Sequence, residues 1–346
     1  MKKLGVSILC IGLFVACSSQ PKEQQEIKED STEISTTYAE SISVEELKDY
    51  LYEISSDEYE GRDTGEAGQK KAAEYLIDYY TQNGIAPGNS NSYLQEIPSS
   101  FFNDRFNDSE NVLAFIEGTE KPEEVVVLSA HYDHVGMDEE GNIYNGADDD
   151  GSGTVALMEI AEAFQLAKNE GNGPKRSILI LHVTAEEKGL LGSKFYTENP
   201  VYPLANTVNN LNIDMIGRVD TNYAEKAESE QDYLYVIGAD RLSTELHDIT
   251  LAKNEQFVNL NLDFSYNAKD EPMRLYYRSD HYNFAKNGIP SIFFFSGLHE
   301  DYHKPTDTAD KINYELLQKR TKLVFHIAWE VANRDERLVV DVTPEE

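Results

Sequence analysis

The chain of 346 residues is 40% hydrophobic and 27% charged, enough apolar material for one sizeable core and too polar for a polytopic membrane protein. Thirty Lys and Arg stand against 63 Asp and Glu, a net charge of -33. That field repels phosphate backbones, which argues against a nucleic-acid partner, and attracts cations. The two cysteines, Cys10 and Cys17, leave the rest of the chain without a disulfide or a thiolate metal site. Any metal held there has to use His, Asp or Glu.

Met1-Lys2-Lys3 is a short basic start and Leu4 to Ala16 an apolar run too short to span a bilayer comfortably, the two parts of an export signal. The run ends Leu13-Phe14-Val15-Ala16-Cys17-Ser18, which resembles a bacterial lipobox and implies lipidation of Cys17. Residues 1–16 are then a lipoprotein signal peptide. Residues 17–43, rich in Glu, Gln, Ser, Thr and Lys, read as a flexible tether. The protein is expected to be exported and anchored to a membrane, facing the periplasm or the surface. Ser18 and Ser19 supply no acidic retention signal, which favours the outer membrane.

In chain order, apolar spacing predicts helices over Val44–Tyr52 and Glu66–Gln82, the second stopped by Asn83-Gly84. Val112–Ile116 and Val125–Leu128 read as adjacent buried strands, followed by a helix over Val155–Leu166. Ser177–Val183 is a further buried strand and Glu187–Glu198 a helix. Strands over Val208–Ile213 and Tyr233–Ile237, a helix over Arg241–Ala252, an apolar strand over Ile289–Phe295 and a long helix over Ile312–Ala332 complete the body. Strands alternating with helices imply an α/β fold in one domain over residues 44–336, with 337–346 as a tail.

Ligands in such sheets bind beyond the carboxyl ends of the strands. Polar clusters fall there: Ser129-Ala130-His131-Tyr132-Asp133-His134, Thr184-Ala185-Glu186-Glu187 and Asp214. Asn145 to Gly153 packs Asp148, Asp149 and Asp150 into a Gly-rich turn, which is costly without a cation. Leu298 to Thr308 follows the last strand. Each cluster has a plainer reading, as acids favoured in a first helical turn at Glu186 and Glu187, a solvated or calcium-binding turn at 148–150 (though a poor EF-hand, lacking the spaced ligand series and terminal Glu), or a helix cap at Asp307. Their shared place at strand ends favours a carboxylate and histidine metal cage.

These motifs, with Ala185 to Ser193, Asn212 to Gly217, Ser279-Asp280-His281 and Tyr302 to Thr308, resemble the M28 family of zinc metallopeptidases, the co-catalytic dizinc aminopeptidases. Weaker similarity reaches back to Glu60-Gly61-Arg62, so the resemblance covers roughly residues 44 to 333. It implies the zinc exopeptidase fold, a three-layer sandwich whose mixed, mostly parallel central sheet carries helices on both faces. It also implies two zinc ions per chain and peptide substrates. His131 and Asp214 would hold one zinc, Glu187 and His303 the other, and Asp149 would bridge them, with Asp148 and Asp150 the nearest alternatives for the bridge. The bond after the bridging aspartate is often cis in this family.

By the same resemblance the Asp133 carboxylate orients the His131 imidazole, and Glu186 is the general base for a water shared by zinc ions about 3.5 to 4 Å apart. Tyr302 matches a tyrosine that hydrogen-bonds the oxyanion in some members, its alternative being a pocket wall. His134, His281 and His299 are left to structural or supporting positions. Two other functions share the scaffold, a one-zinc glutaminyl-peptide cyclotransferase and a non-catalytic binding module. The Asp149-Asp150 pair, the His303-to-Thr308 ending and the complete ligand set all weigh against these. The sequence does not separate aminopeptidase from dipeptidase or carboxypeptidase action, and it does not encode an oligomeric state that can be read.

Overall fold

A computed structural model describes Met1 and residues 33–343. The export signal, Cys17 and the first part of the tether lie outside the described residues. Eleven strands are present among them: β1 Ala86–Pro87, β2 Leu94–Ile97, β3 Ser109–Ile116, β4 Lys121–His131, β5 Gly136–Met137, β6 Ile143–Tyr144, β7 Arg176–Val183, β8 Thr207–Ile213, β9 Tyr233–Ile237, β10 Asn261–Asp263 and β11 Ser291–Phe295. Nine form one sheet in the order β1-β3-β7-β4-β8-β11-β9-β10, with β2 also paired to β3. The centre, β7-β4-β8-β11, is parallel; β3 joins β7 and β9 joins β11 antiparallel. The result is the expected mixed, mostly parallel sheet.

Side chains alternate across these strands, so each feeds two layers. Val126, Leu128, Ala130, Ile178 and Ile180 face a large cluster with Leu47, Leu76, Leu157, Phe164 and Phe325. Those partners come from α1 Val44–Ile54, α2 Ala67–Gln82, α3 Gly153–Asn169 and α8 Tyr314–Asn333. Val125, Val127, Leu179, Leu181 and Val183 face the opposite layer with Tyr196 of α4 Leu191–Glu198 and Phe284 of α7 His281–Ala285. Two shorter helices, α5 Ala239–Leu242 and α6 Thr244–Lys253, lie between β9 and β10 in the chain. Ser43 caps α1: its hydroxyl accepts from the Glu46 N–H and donates to the Glu46 carboxylate, while its own N–H donates to Glu159.

Several boundaries differ from the sequence reading. Residues 33–39 are helical, and Tyr38, Ala39 and Ile42 are buried, so the body begins within the expected tether. Tyr38 packs on Trp329 and donates to Glu170, contacts that offset its ordering entropy and that composition does not reveal. The expected tail also packs: Leu338 is buried, Arg337 donates to the carbonyls of Ala205 and Thr207, and Asp341 accepts from the Thr244 N–H. Strands β3 and β4 are not neighbours, because β7 lies between them. The helix expected from Glu187 starts only at Leu191, since Gly189 and Leu190 turn through positive φ. The helix expected over 241–252 breaks at Ser243, whose hydroxyl caps α6.

Candidate metal centre

The parallel strands all deliver their carboxyl ends to one rim. β4 ends at His131, opposite Val183 of β7, and Glu186 and Glu187 follow β7 after Thr184 and Ala185. β8 ends at Ile213, so Asp214 is the first residue beyond it. The aspartate turn precedes α3, and His303 follows β11. Ala185, Met215 and His303 all hold left-handed backbone, with φ of 55, 59 and 53°. Strained backbone of this kind persists where the surroundings fix it, and here it lies at or beside the converging side chains.

Asp149 stands at the centre. Its Oδ1 is 3.2 Å from His131 Nε2, which is also 3.7 Å from Asp214 Oδ1. Its Oδ2 is 3.0 Å from His303 Nε2, which is 3.1 Å from Glu187 Oε1. One carboxylate thus presents an oxygen to each of two groups, the geometry of a bridge. Asp149 Oδ2, Glu187 Oε1 and His303 Nε2 are buried without a hydrogen-bond partner among the described residues. Orphaned polar atoms converging in a dry site are costly, and a divalent cation on each side would satisfy them. Imidazole and carboxylate donors without thiolate suit zinc. Burial would raise the Asp149 carboxyl, but His131 and His303 hold it well below the ordinary range.

The two neighbouring aspartates are occupied differently. Asp148 Oδ1 accepts from the Gly217 N–H, and its Oδ2 lies 3.2 Å from His299 Nε2. Asp150 Oδ1 accepts from the N–H groups of Gly153 and Met215, its Oδ2 is buried without a hydrogen-bond partner among the described residues, and its carboxylate lies close to His131 and Asp214. A Cβ on Gly153 would stand 2.5 Å from both Asp150 oxygens, so only glycine admits this approach. The Asp149–Asp150 peptide bond is cis.

His131 is oriented otherwise than expected. Its Nδ1 bonds the main-chain carbonyl of Asp133 at 3.0 Å, and the Asp133 carboxylate is 3.7 Å away. That carboxylate accepts instead from the Thr64 hydroxyl and the Glu186 N–H. Asp133 therefore links the imidazole to the backbone of Glu186. Burial, with Asp214, Asp280 and Glu187 close by, lifts the Glu186 carboxyl well above the ordinary glutamate range, against the pull of His131. Tyr302 stacks on His303 at 3.9 Å and lines the cleft beside Glu186. Burial raises its phenol, so the hydroxyl stays a donor.

Four further groups support the site; sequence motifs marked their positions, with a role suggested only for Asp307, as a helix cap. Ser279 donates to Asp214 Oδ2 at 2.6 Å, at the end of a buried run through Asn212, Ser129 and Asn210. Asp307 caps no helix; it accepts from the N–H groups of Asp148 and Asp149. Arg62, fully buried, donates to the carbonyls of Ile54, Tyr132, Asn145 and Gly146, tying together the segments that carry His131 and the aspartates. His134 places Nδ1 2.9 Å from Glu187 Oε1, and it groups with Asp149 and Glu187 as a third imidazole at the site. His281, stacked on Phe293, is held neutral by burial, its pKa lowered to about 3.

Residues 111–328 match Peptidase family M28. The chain belongs to that family. Among curated proteins of similar sequence, a probable leucine aminopeptidase of Arthroderma benhamiae is 29% identical over 228 residues, 64% of this chain and 57% of that protein. Aminopeptidase YwaD of Bacillus subtilis is 27% identical over 241 residues, 66% of this chain and 46% of that protein. The match therefore spans about half the length of these relatives. Among solved structures, the LapA aminopeptidase of Legionella pneumophila superimposes with a TM-score of 0.69 at 21% identity, covering 97% of this chain and 81% of that one. BSAP, a zinc aminopeptidase from Bacillus subtilis, gives 0.64 at 17% identity, covering 88% and 98%. At such identities the superpositions establish the shared fold.

Proposed function

We propose that this M28 peptidase is a zinc-dependent exopeptidase, an aminopeptidase that removes N-terminal residues from peptides with two metal ions per chain. The observation that carries the reading is Asp149, whose two oxygens face two separate imidazole and carboxylate groups. The names of the two curated relatives, both aminopeptidases, support the same direction. His131, Asp149 and Asp214 would hold one zinc, and Asp149, Glu187 and His303 the other. When bound, the ions polarise the scissile carbonyl and lower the pKa of water.

Glu186 lines the cleft, where two bound cations would draw its raised carboxyl back to the carboxylate form and leave it placed to take a proton from the attacking water and return it to the leaving amine. Its N–H bond to Asp133 keeps it in register with His131. The Tyr302 hydroxyl, protonated and at the cleft wall, is a donor for the developing oxyanion. Met215, Leu275, Phe293 and Phe295 form an apolar wall for a substrate side chain. The cyclotransferase alternative would need only one metal, and the bridging position of Asp149 favours two.

The test is metal analysis joined to one substitution. About two zinc ions per chain, retained in Glu186→Gln while aminopeptidase turnover falls about 10²- to 10⁴-fold, is the expected result. One ion per chain with cyclisation of N-terminal glutamine would replace this reading, and undiminished hydrolysis in Glu186→Gln would remove that residue from the mechanism.

A further inference from the structure

The cleft wall contains one cation, Arg278, among the acids of the cage and the apolar wall of Met215, Leu275, Phe293 and Phe295. Arg278 is exposed, and among the described residues its guanidinium makes no ion pair, hydrogen bond or ring contact. The other nine arginines each have a partner. Nearby, Arg218 pairs with Asp301, Arg241 donates to Asn267 and Arg274 lies over the Tyr277 ring. An arginine left unpaired in a chain with 63 acidic and 30 basic residues is unusual, because carboxylate partners are abundant.

Its backbone is also fixed. The next residue, Ser279, bonds Asp214 and Asn212, and Asp280 bonds Ser193, so Arg278 leaves the cage from an anchored point. The cleft acids Asp149, Asp214 and Glu187 face His131 and His303 instead. A planar guanidinium presented this way matches a carboxylate by two parallel hydrogen bonds.

We propose that Arg278 is a specificity-determining residue that receives a carboxylate of the peptide substrate; this rests on the peptidase reading above. Two parts of a peptide carry that chemistry, an acidic side chain on the first residue and the C-terminal carboxylate of a dipeptide. Apolar contacts alone would leave the pocket indifferent to charge, and the acids of the cage would disfavour an anion. Arg278 reverses that preference locally.

The experiment compares kcat/KM for two pairs of peptides on the zinc-loaded full chain. Glu-Ala-amide against Gln-Ala-amide probes the side chain, and Leu-Ala against Leu-Ala-amide probes the terminus. In one pair the carboxylate form is expected to be favoured about tenfold or more. Arg278→Gln abolishes that preference through KM, and Arg278→Lys, which keeps the charge without the fork, retains part of it. Calorimetric binding of the same peptides to Glu186→Gln protein is expected to give the same order. Hydrolysis of all four peptides without a carboxylate preference, or a preference that survives Arg278→Gln, overturns the role of Arg278 alone. Hydrolysis of none overturns the peptidase reading and this role together.

Discussion

Replacing Asp307 by alanine removes the acceptor that holds the aspartate turn in place. Both carboxylate oxygens lie 3.0 to 3.2 Å from the Asp148 N–H, and one lies 3.2 Å from the Asp149 N–H. The side chain is completely buried, so no water reaches the two amides without rearrangement. An orphaned buried N–H costs about 1 to 3 kcal/mol, which gives about 2 to 6 kcal/mol for the pair. Relief of the repulsion between Asp307 and Asp148 offsets part of this, and about 3 kcal/mol is the expected net loss in metal-free protein. Because one of the amides belongs to Asp149, zinc affinity should fall about 10- to 100-fold. Urea unfolding of the metal-free protein and competitive zinc titration against a chromogenic chelator measure the two effects separately. Asp307→Asn keeps one acceptor oxygen and should lose roughly half as much stability, which covers the case in which the alanine variant does not fold. An alanine variant within about 0.5 kcal/mol of the parent, with zinc affinity within twofold, would refute the reasoning.

Stripping the metal with a chelator should abolish turnover and lower the thermal midpoint, because a ligand at 1,000 times its Kd contributes about 4 kcal/mol to the folded state; calorimetry before and after zinc is restored checks this. His182 lies in the core with its Nε2 2.6 Å from the Tyr80 hydroxyl, and burial lowers its pKa from 6.5 to about 3. Below pH 6.5 the unfolded chain takes up a proton that the fold refuses, so this contribution to stability is lost as pH falls towards 3. Between pH 7 and 5 it amounts to about 2 kcal/mol, and His182→Gln, which keeps an acceptor for Tyr80, should remove that part of the pH dependence in urea titrations. The losses expected in Glu186→Gln and Arg278→Gln are those stated with the two proposals.

The main strands and most of the long helices were legible because their information is local. Buried strands such as Ser-Ile-Leu-Ile-Leu-His-Val at 177–183 are apolar throughout, and the polar residues after them mark the rim. Helix ends were harder. Glu187 to Leu190 carries a helical pattern, yet positive φ at Gly189 and Leu190 delays α4, and it is this turn that points Glu186 and Glu187 into the cleft. Residues 33–43 have a tether's composition, and only the packing of Tyr38 on Trp329, nearly 300 residues away, makes them part of the body.

By itself the sequence determined the residue types of the cage, their order, and the strand ends that carry them, since composition, spacing and strand patterning are properties of the chain alone. Which of three successive aspartates faces both imidazoles was decided by the tertiary structure. Adjacent side chains in an irregular turn point wherever φ, ψ and the Asp307 and Gly217 contacts send them. The same holds for His131, which bonds the carbonyl of Asp133 and not its carboxylate, and for His134 against Glu187. Arg278 is the extreme case. Its distinction is the absence of a partner among the described residues, and that depends on where the other charges come to rest.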